Sequence, residues 1–145
     1  MNMQKTLENN LHQVTCIPER YSTVFSPVDC QLLAEAAAAS ELSFVGWSAN
    51  SGPLVSLGIP CPWNPFFDDA DALRLAVDLR ISIVFHEHII SASFIGSTGR
   101  IEISQDLKHT RHLSNTQAAV RHLIVRAAAA KARDLLQQTQ QCEDA

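Results

Sequence analysis

ISIVFHEHIISASFIGSTGRIEIS, residues 81–104, decides the fold. Ile81, Ile83, Phe85 and Ile89 alternate with Ser82, Val84, His86 and His88, which is the period of a strand with one apolar face. Ser91 to Ile95 supplies a second strand, Gly96-Ser97-Thr98-Gly99 a tight turn, and Arg100 to Ser104 a third strand. In the last of these, Ile101 and Ile103 alternate with Arg100, Glu102 and Ser104, so one face of the meander is expected to be wet. Three short antiparallel strands cannot bury their apolar face alone, and the flanking sequence must supply helices.

It does so on both sides. Ser26-Pro27-Val28-Asp29 has the form of a capping box with proline in the first turn, and QLLAEAAAASEL continues it with high helix propensity. Asp68-Asp69 suits the first turn of a second helix over roughly 69–80, with Leu73, Ala76, Val77 and Arg80 on one face. A long final helix starts at Ser114 or Asn115 and runs to about residue 137. There Val120, Leu123, Ile124, Ala127 and Ala128 face the core, and Arg121, Arg126, Lys131 and Arg133 point elsewhere. Between the first two helices, residues 43–47 and 53–57 read as short strands joined by Ser51-Gly52-Pro53. Pro60-Cys61-Pro62-Trp63-Asn64-Pro65 is a rigid segment that cannot be helical, and residues 105–114 form a polar connection. The expectation is an α+β fold in which a small antiparallel sheet, the three-stranded meander plus short N-terminal strands, packs with about three helices. Residues 26–137 form the single domain, residues 1–25 a poorly ordered arm, and residues 138–145 a loose tail.

Composition narrows the class. The 145 residues suit one core; 46% are hydrophobic and 18% charged, which argues against global disorder or a coiled coil. A net charge of -4 and a pI near 5.8 argue against general nucleic-acid binding. The polar start MNMQKTLENN is not followed by an apolar signal region, and no stretch approaches the ~20 apolar residues of a membrane span, so a cytoplasmic protein without a membrane partner is expected. Cys16, Cys30, Cys61 and Cys142 form no C-x-x-C pair, and the simplest expectation is reduced thiols and no cofactor. Eight of the 11 basic residues are arginine, and alanine comes in two blocks, 36–39 and 127–130. Genomic GC bias accounts for part of both features. The alanine blocks also permit close helix–helix contact, within the domain or in a homo-oligomer.

Two segments carry a family resemblance. WNPFFDDADALRLAV, residues 63–77, and AAVRHLIVRAA, residues 118–128, resemble the small phage and prophage proteins of the ABA-sandwich type. Those share a Trp-x-Pro and Asp element opening a short helix, a few strands, and a C-terminal helix with an alanine-rich stretch. The likeness spans roughly residues 30–135; residues 1–25 and 105–114 have no counterpart. It implies a phage-encoded accessory protein acting in the infected bacterial cytoplasm. Several compact phage proteins of similar size counter host defence by holding a nucleotide second messenger or by blocking a host defence protein, and by analogy of context and size the same is expected here. The resemblance brings no catalytic residues with it.

Candidate chemistry was weighed residue by residue. His86 and His88, two apart on a strand, would share a face and can meet one metal, with His109 and His112 as further ligands; the plainer reading leaves them on the solvent face. There is no G-x-S-x-G, P-loop or G-x-G-x-x-G, and the cysteines read as packing residues rather than nucleophiles. Asp68, Asp69 and Asp71 read as helix-start acids rather than a cation site. Trp47, Trp63 and the adjacent Asn64 are candidates for contact with a base or partner, and Arg74, Arg100, Arg111 and Arg121 for phosphates or partner carboxylates. Against this stands the reading of Trp63 as a core anchor and of the arginines as solvated or paired. The sequence therefore favours a non-catalytic binding protein. A small metal- or thiol-dependent enzyme centred on His86 and His88 is the alternative, and a phage structural accessory protein a third reading.

Overall fold

A computed structural model describes residues 2–15, 17–21, 24–49, 51–109 and 115–143. The fold is α+β, as its sequence predicts. Among the described residues there are four α-helices, α1 (Met3–Thr15), α2 (Pro27–Ala39), α3 (Asp69–Asp78) and α4 (Thr116–Glu143). The strands are β1 (Phe44–Ser48), β2 (Gly52–Ser56), β3 (Pro60–Pro62), β4 (Ser82–Phe85), β5 (Ile89–Gly96) and β6 (Gly99–Asp106). They form two separate antiparallel sheets, β1-β2-β3 and β4-β5-β6, rather than the one small sheet expected.

The separation has a local cause. In β3 the main chain facing β2 belongs to Cys61, which pairs with Val55, so Pro60 and Pro62 turn their nitrogens to the free edge. Proline has no N–H, and this edge cannot template a further strand. The opposite strand of that sheet, β1, packs on α1, where Trp47 donates from Nε1 to the Gln13 carbonyl.

Helix α2 lies between α1 and α4. Its capping box forms as the sequence dictates: Ser26 Oγ accepts from Asp29 N–H, and Asp29 accepts from Ser26 N–H. From Leu33 to Ala39 every residue is buried, because two helices cover it from different sides. Only a surface of alanine lets both approach so closely. The second alanine block answers from α4, where Ala127, Ala128, Ala129 and Ala132 are fully buried. Both blocks are thus consumed by packing inside the chain.

The N-terminal arm is a correction. Residues 3–15 form a helix docked on α2, with Thr6, Asn10 and Val14 buried. Asn10 explains why a polar segment docks. Its amide donates to the carbonyls of Ala34 and Leu42 and accepts from Phe44 N–H, satisfying backbone groups where α2 hands over to β1. The tail is a second correction, since α4 continues to Glu143, past the expected stop at 137.

Polar side chains of α4 each reach a different element. Arg126 donates to Gln105 of β6, and Lys131 donates to the Leu79 carbonyl at the end of α3. Arg133 pairs with buried Glu35 of α2 at 3.1 Å. Asp134 accepts from Ser97 N–H and Oγ, holding the β5–β6 turn against the helix. Gly96 makes that approach possible, because a Cβ there would lie 2.6 Å from Ile101 Cδ1 and 3.3 Å from Asp134 Cγ.

Helices α2 and α3 end alike. Leu42 N–H reaches back to Ala37 O, and Ile81 N–H to Ala76 O, so the residues between, Glu41 and Arg80, take positive φ of 59° and 55°. Glycine is the residue suited to that position, and Glu41→Gly should raise unfolding stability by about 1 kcal/mol in a denaturant titration.

Glu35 gives a pH prediction. Burial pushes its carboxyl above the ordinary value, and Arg133 only partly offsets this. The folded state then binds a proton that the unfolded chain has released, so stability falls as pH rises from about 4.5 through the raised value. Glu35→Gln removes that loss. Melting temperatures of wild type and variant should converge below pH 4.5 and separate above it, with the variant higher.

Candidate functional site

Helix α3 has more apolar surface than the core uses. Asp68 caps its start by accepting from Asp71 N–H. Ala72, Leu75, Ala76 and Leu79 turn inward and are buried. Leu73 and Val77, which the sequence places on one face with Ala76, lie instead on a second stripe and are 63% and 62% exposed. Beyond α3, Phe85 at the end of β4 is also 63% exposed. Leu73 and Phe85 border a groove of about 770 Å³ between α3, β4 and the first turns of α4, and Val77 lies beside it.

Among the described residues, the groove is lined by Ala72, Leu73, Ala76, Ile83, Phe85, Val120 and Ile124 on the apolar side. Its polar lining, Asp69, Asn115, Thr116, Gln117 and Arg121, comes from the starts of α3 and α4. Arg121 fixes these two helices relative to each other. Its Nε donates to the Phe66 carbonyl at 2.8 Å and its guanidinium meets Asp69 at 2.7 Å. Asn115 accepts from Ala118 N–H and so caps α4 at the groove wall. No histidine or cysteine is among the lining residues. Such a surface can hold an apolar side chain or ligand with a polar group at one end.

Of the aromatic, arginine and histidine candidates among the described residues, Arg121 alone borders this groove. Trp63 is a core residue, 7% exposed and edge-on to Phe44 at 5.8 Å. Trp47 is half-buried in β1, stacked on Tyr21 at 5.5 Å and edge-on to Phe25. Asn64 and Arg74 meet at Asp71, whose carboxylate accepts from Asn64 N–H at 2.9 Å and lies 3.5 Å from Arg74. Burial pushes the Asp71 carboxyl up, and the Asn64 N–H pulls the other way. Arg100 donates to Ser93 on the outer face of the second sheet. Arg111 and His112 lie outside the described residues.

His86 and His88 are not on a strand. They fall in the β4–β5 connection, where His86 N–H donates to Ile89 O and the His88 carbonyl accepts from Leu107 N–H. His109 ends a short 3-10 turn, Leu107–His109, after β6. Among the described residues no group of three or more His, Cys, Asp or Glu side chains is placed to hold a metal. Cys30 is buried, and burial together with neighbouring Asp29 pushes its thiol up, the reverse of an activated nucleophile.

Comparison with protein-family models, curated proteins and solved structures finds no match.

The groove residues were visible in sequence only as surplus. Leu73 and Val77 are an i, i+4 pair, and Ala72, Leu75, Ala76 and Leu79 form a complete core stripe without them. Two apolar stripes on one ten-residue helix are the signal. Arg121→Met should cost about 1 kcal/mol in chemical denaturation, chiefly through the lost bond to the Phe66 carbonyl. The exposed Asp69 partner contributes little, so added salt should leave most of the difference in place.

Proposed function

We propose that this chain is a non-catalytic binding protein whose working surface is the groove between α3, β4 and α4. The observation that carries this is the exposure of Leu73 and Phe85 around a cavity of about 770 Å³, with Val77 exposed beside it, next to a core stripe that is already complete. Large apolar side chains gathered at a concave surface mark interaction sites in soluble domains. Of the two binding modes expected from the sequence, this favours a defence protein over a nucleotide second messenger. A nucleotide site needs uncommitted cations for its phosphates, whereas Arg121, the cation among the described lining residues, is already bonded.

The resemblance of residues 63–77 and 118–128 to the phage ABA-sandwich proteins gives the proposed setting. In it, the chain is a phage-encoded accessory protein of the infected bacterial cytoplasm that blocks a host defence protein. Nothing but the residues quoted for it supports that setting, whereas the groove supports binding by itself.

Phage plating on bacteria that carry single defence systems tests both parts. Expression of the wild-type chain should raise plating efficiency at least tenfold with one system. Leu73→Glu, at an exposed position, should abolish the effect while melting at the wild-type temperature. An unchanged plating efficiency with every system would contradict the setting. Full activity of Leu73→Glu would contradict the groove.

A further inference from the structure

We infer that the free edge of β4 is a self-pairing surface, through which two copies of this chain join their second sheets into one of six strands. Among the described residues, β4 has only β5 as a neighbour. The β5 side of β4 is taken by Ser82, Val84 and His86: His86 N–H bonds Ile89 O, and the register pairs Val84 with Ser91 and Ser82 with Ser93. Main-chain groups alternate along an antiparallel strand, so the N–H and C=O of both Ile83 and Phe85 point to the open edge. β4 is short, but it carries none of the proline that blunts β3.

A twofold axis perpendicular to the sheet through Val84 sets Val84 opposite its own copy and Ile83 opposite the other copy's Phe85. All four outward-facing residues then bond in register, giving four main-chain hydrogen bonds across the axis. The side chains fit this register as well. A shallow depression of about 430 Å³ lies at the other end of β4, lined by Leu73, Val77, Ile81 and Ile83 among others. The pairing carries each exposed Phe85 to the end of β4 where the other copy holds that depression. Shape and backbone are thus complementary to themselves, as a closed twofold interface requires.

The pairing can be tested apart from the groove, because Val84 lies on the outer face of the sheet and does not line it. Sedimentation equilibrium should give the wild-type chain twice its 15.9 kDa monomer mass. Val84→Lys and Val84→Asp each place like charges face to face on the axis and should each be monomeric. Mixed in equal amounts, they should recover the doubled mass. Val84 is 40% exposed, so both variants should retain the wild-type circular dichroism. A monomeric wild type, a dimeric Val84→Lys, or a mixture that stays monomeric would each overturn the proposal.

Discussion

The contact between α2 and α4 is the constraint on which the rest of this structure depends. Ala129 lies on the side of α4 from which His122 and Arg133 reach Asp29 and Glu35 of α2, and it is completely buried, as is Ala36 on the facing side of α2. Small side chains lose little conformational entropy on burial and permit close approach, so dispersion contacts are gained at low ordering cost. With α2 held this way, its other side becomes the seat of α1, and Asn10 closes the backbone gap between α2 and β1. With α4 held, Arg121, Arg126, Lys131 and Asp134 each fasten a separate piece of the chain to it.

The same economy leaves the molecule with apolar surface to spare. Because α4 buries α3 through the narrow stripe of Ala72, Leu75, Ala76 and Leu79, the second stripe and Phe85 have nothing to cover them within the described residues. The groove and the β4 edge meet at Leu73 and Ile83, which line both depressions. A partner in the groove and a second copy at the edge would therefore be neighbours, and a dimer would present two grooves related by its axis.

Much of this was legible in the amino-acid sequence, and the misses have physical reasons. The capping box at Ser26, the acidic start of α3 and the alternation at Ile101 and Ile103 are local signals and formed as read. The first helix was invisible because its sequence is polar. Only the long-range bonds of Asn10 show why it docks, and these depend on α2 and β1 being in place. Pairing of His86 with His88 failed because two histidines at a turn read like two on a strand when the strand's end cannot be located. The site was the least legible part. Aromatic and arginine residues attract notice as binding chemistry, yet Trp63, Trp47 and Arg121 are committed to the fold, while the aliphatic groove looked like ordinary core.

The stability of Ala129→Leu tests the central contact most directly. Ala129 has no exposed surface and lies on the side of α4 from which His122 and Arg133 reach α2. Three added carbons there have no space, so chemical denaturation should show a loss of about 1–3 kcal/mol. Ala130→Leu, at a half-buried position on the same helix, should lose much less. Equal, negligible losses at both positions would mean that the two helices do not meet through their alanine faces, and the account would fail at its base.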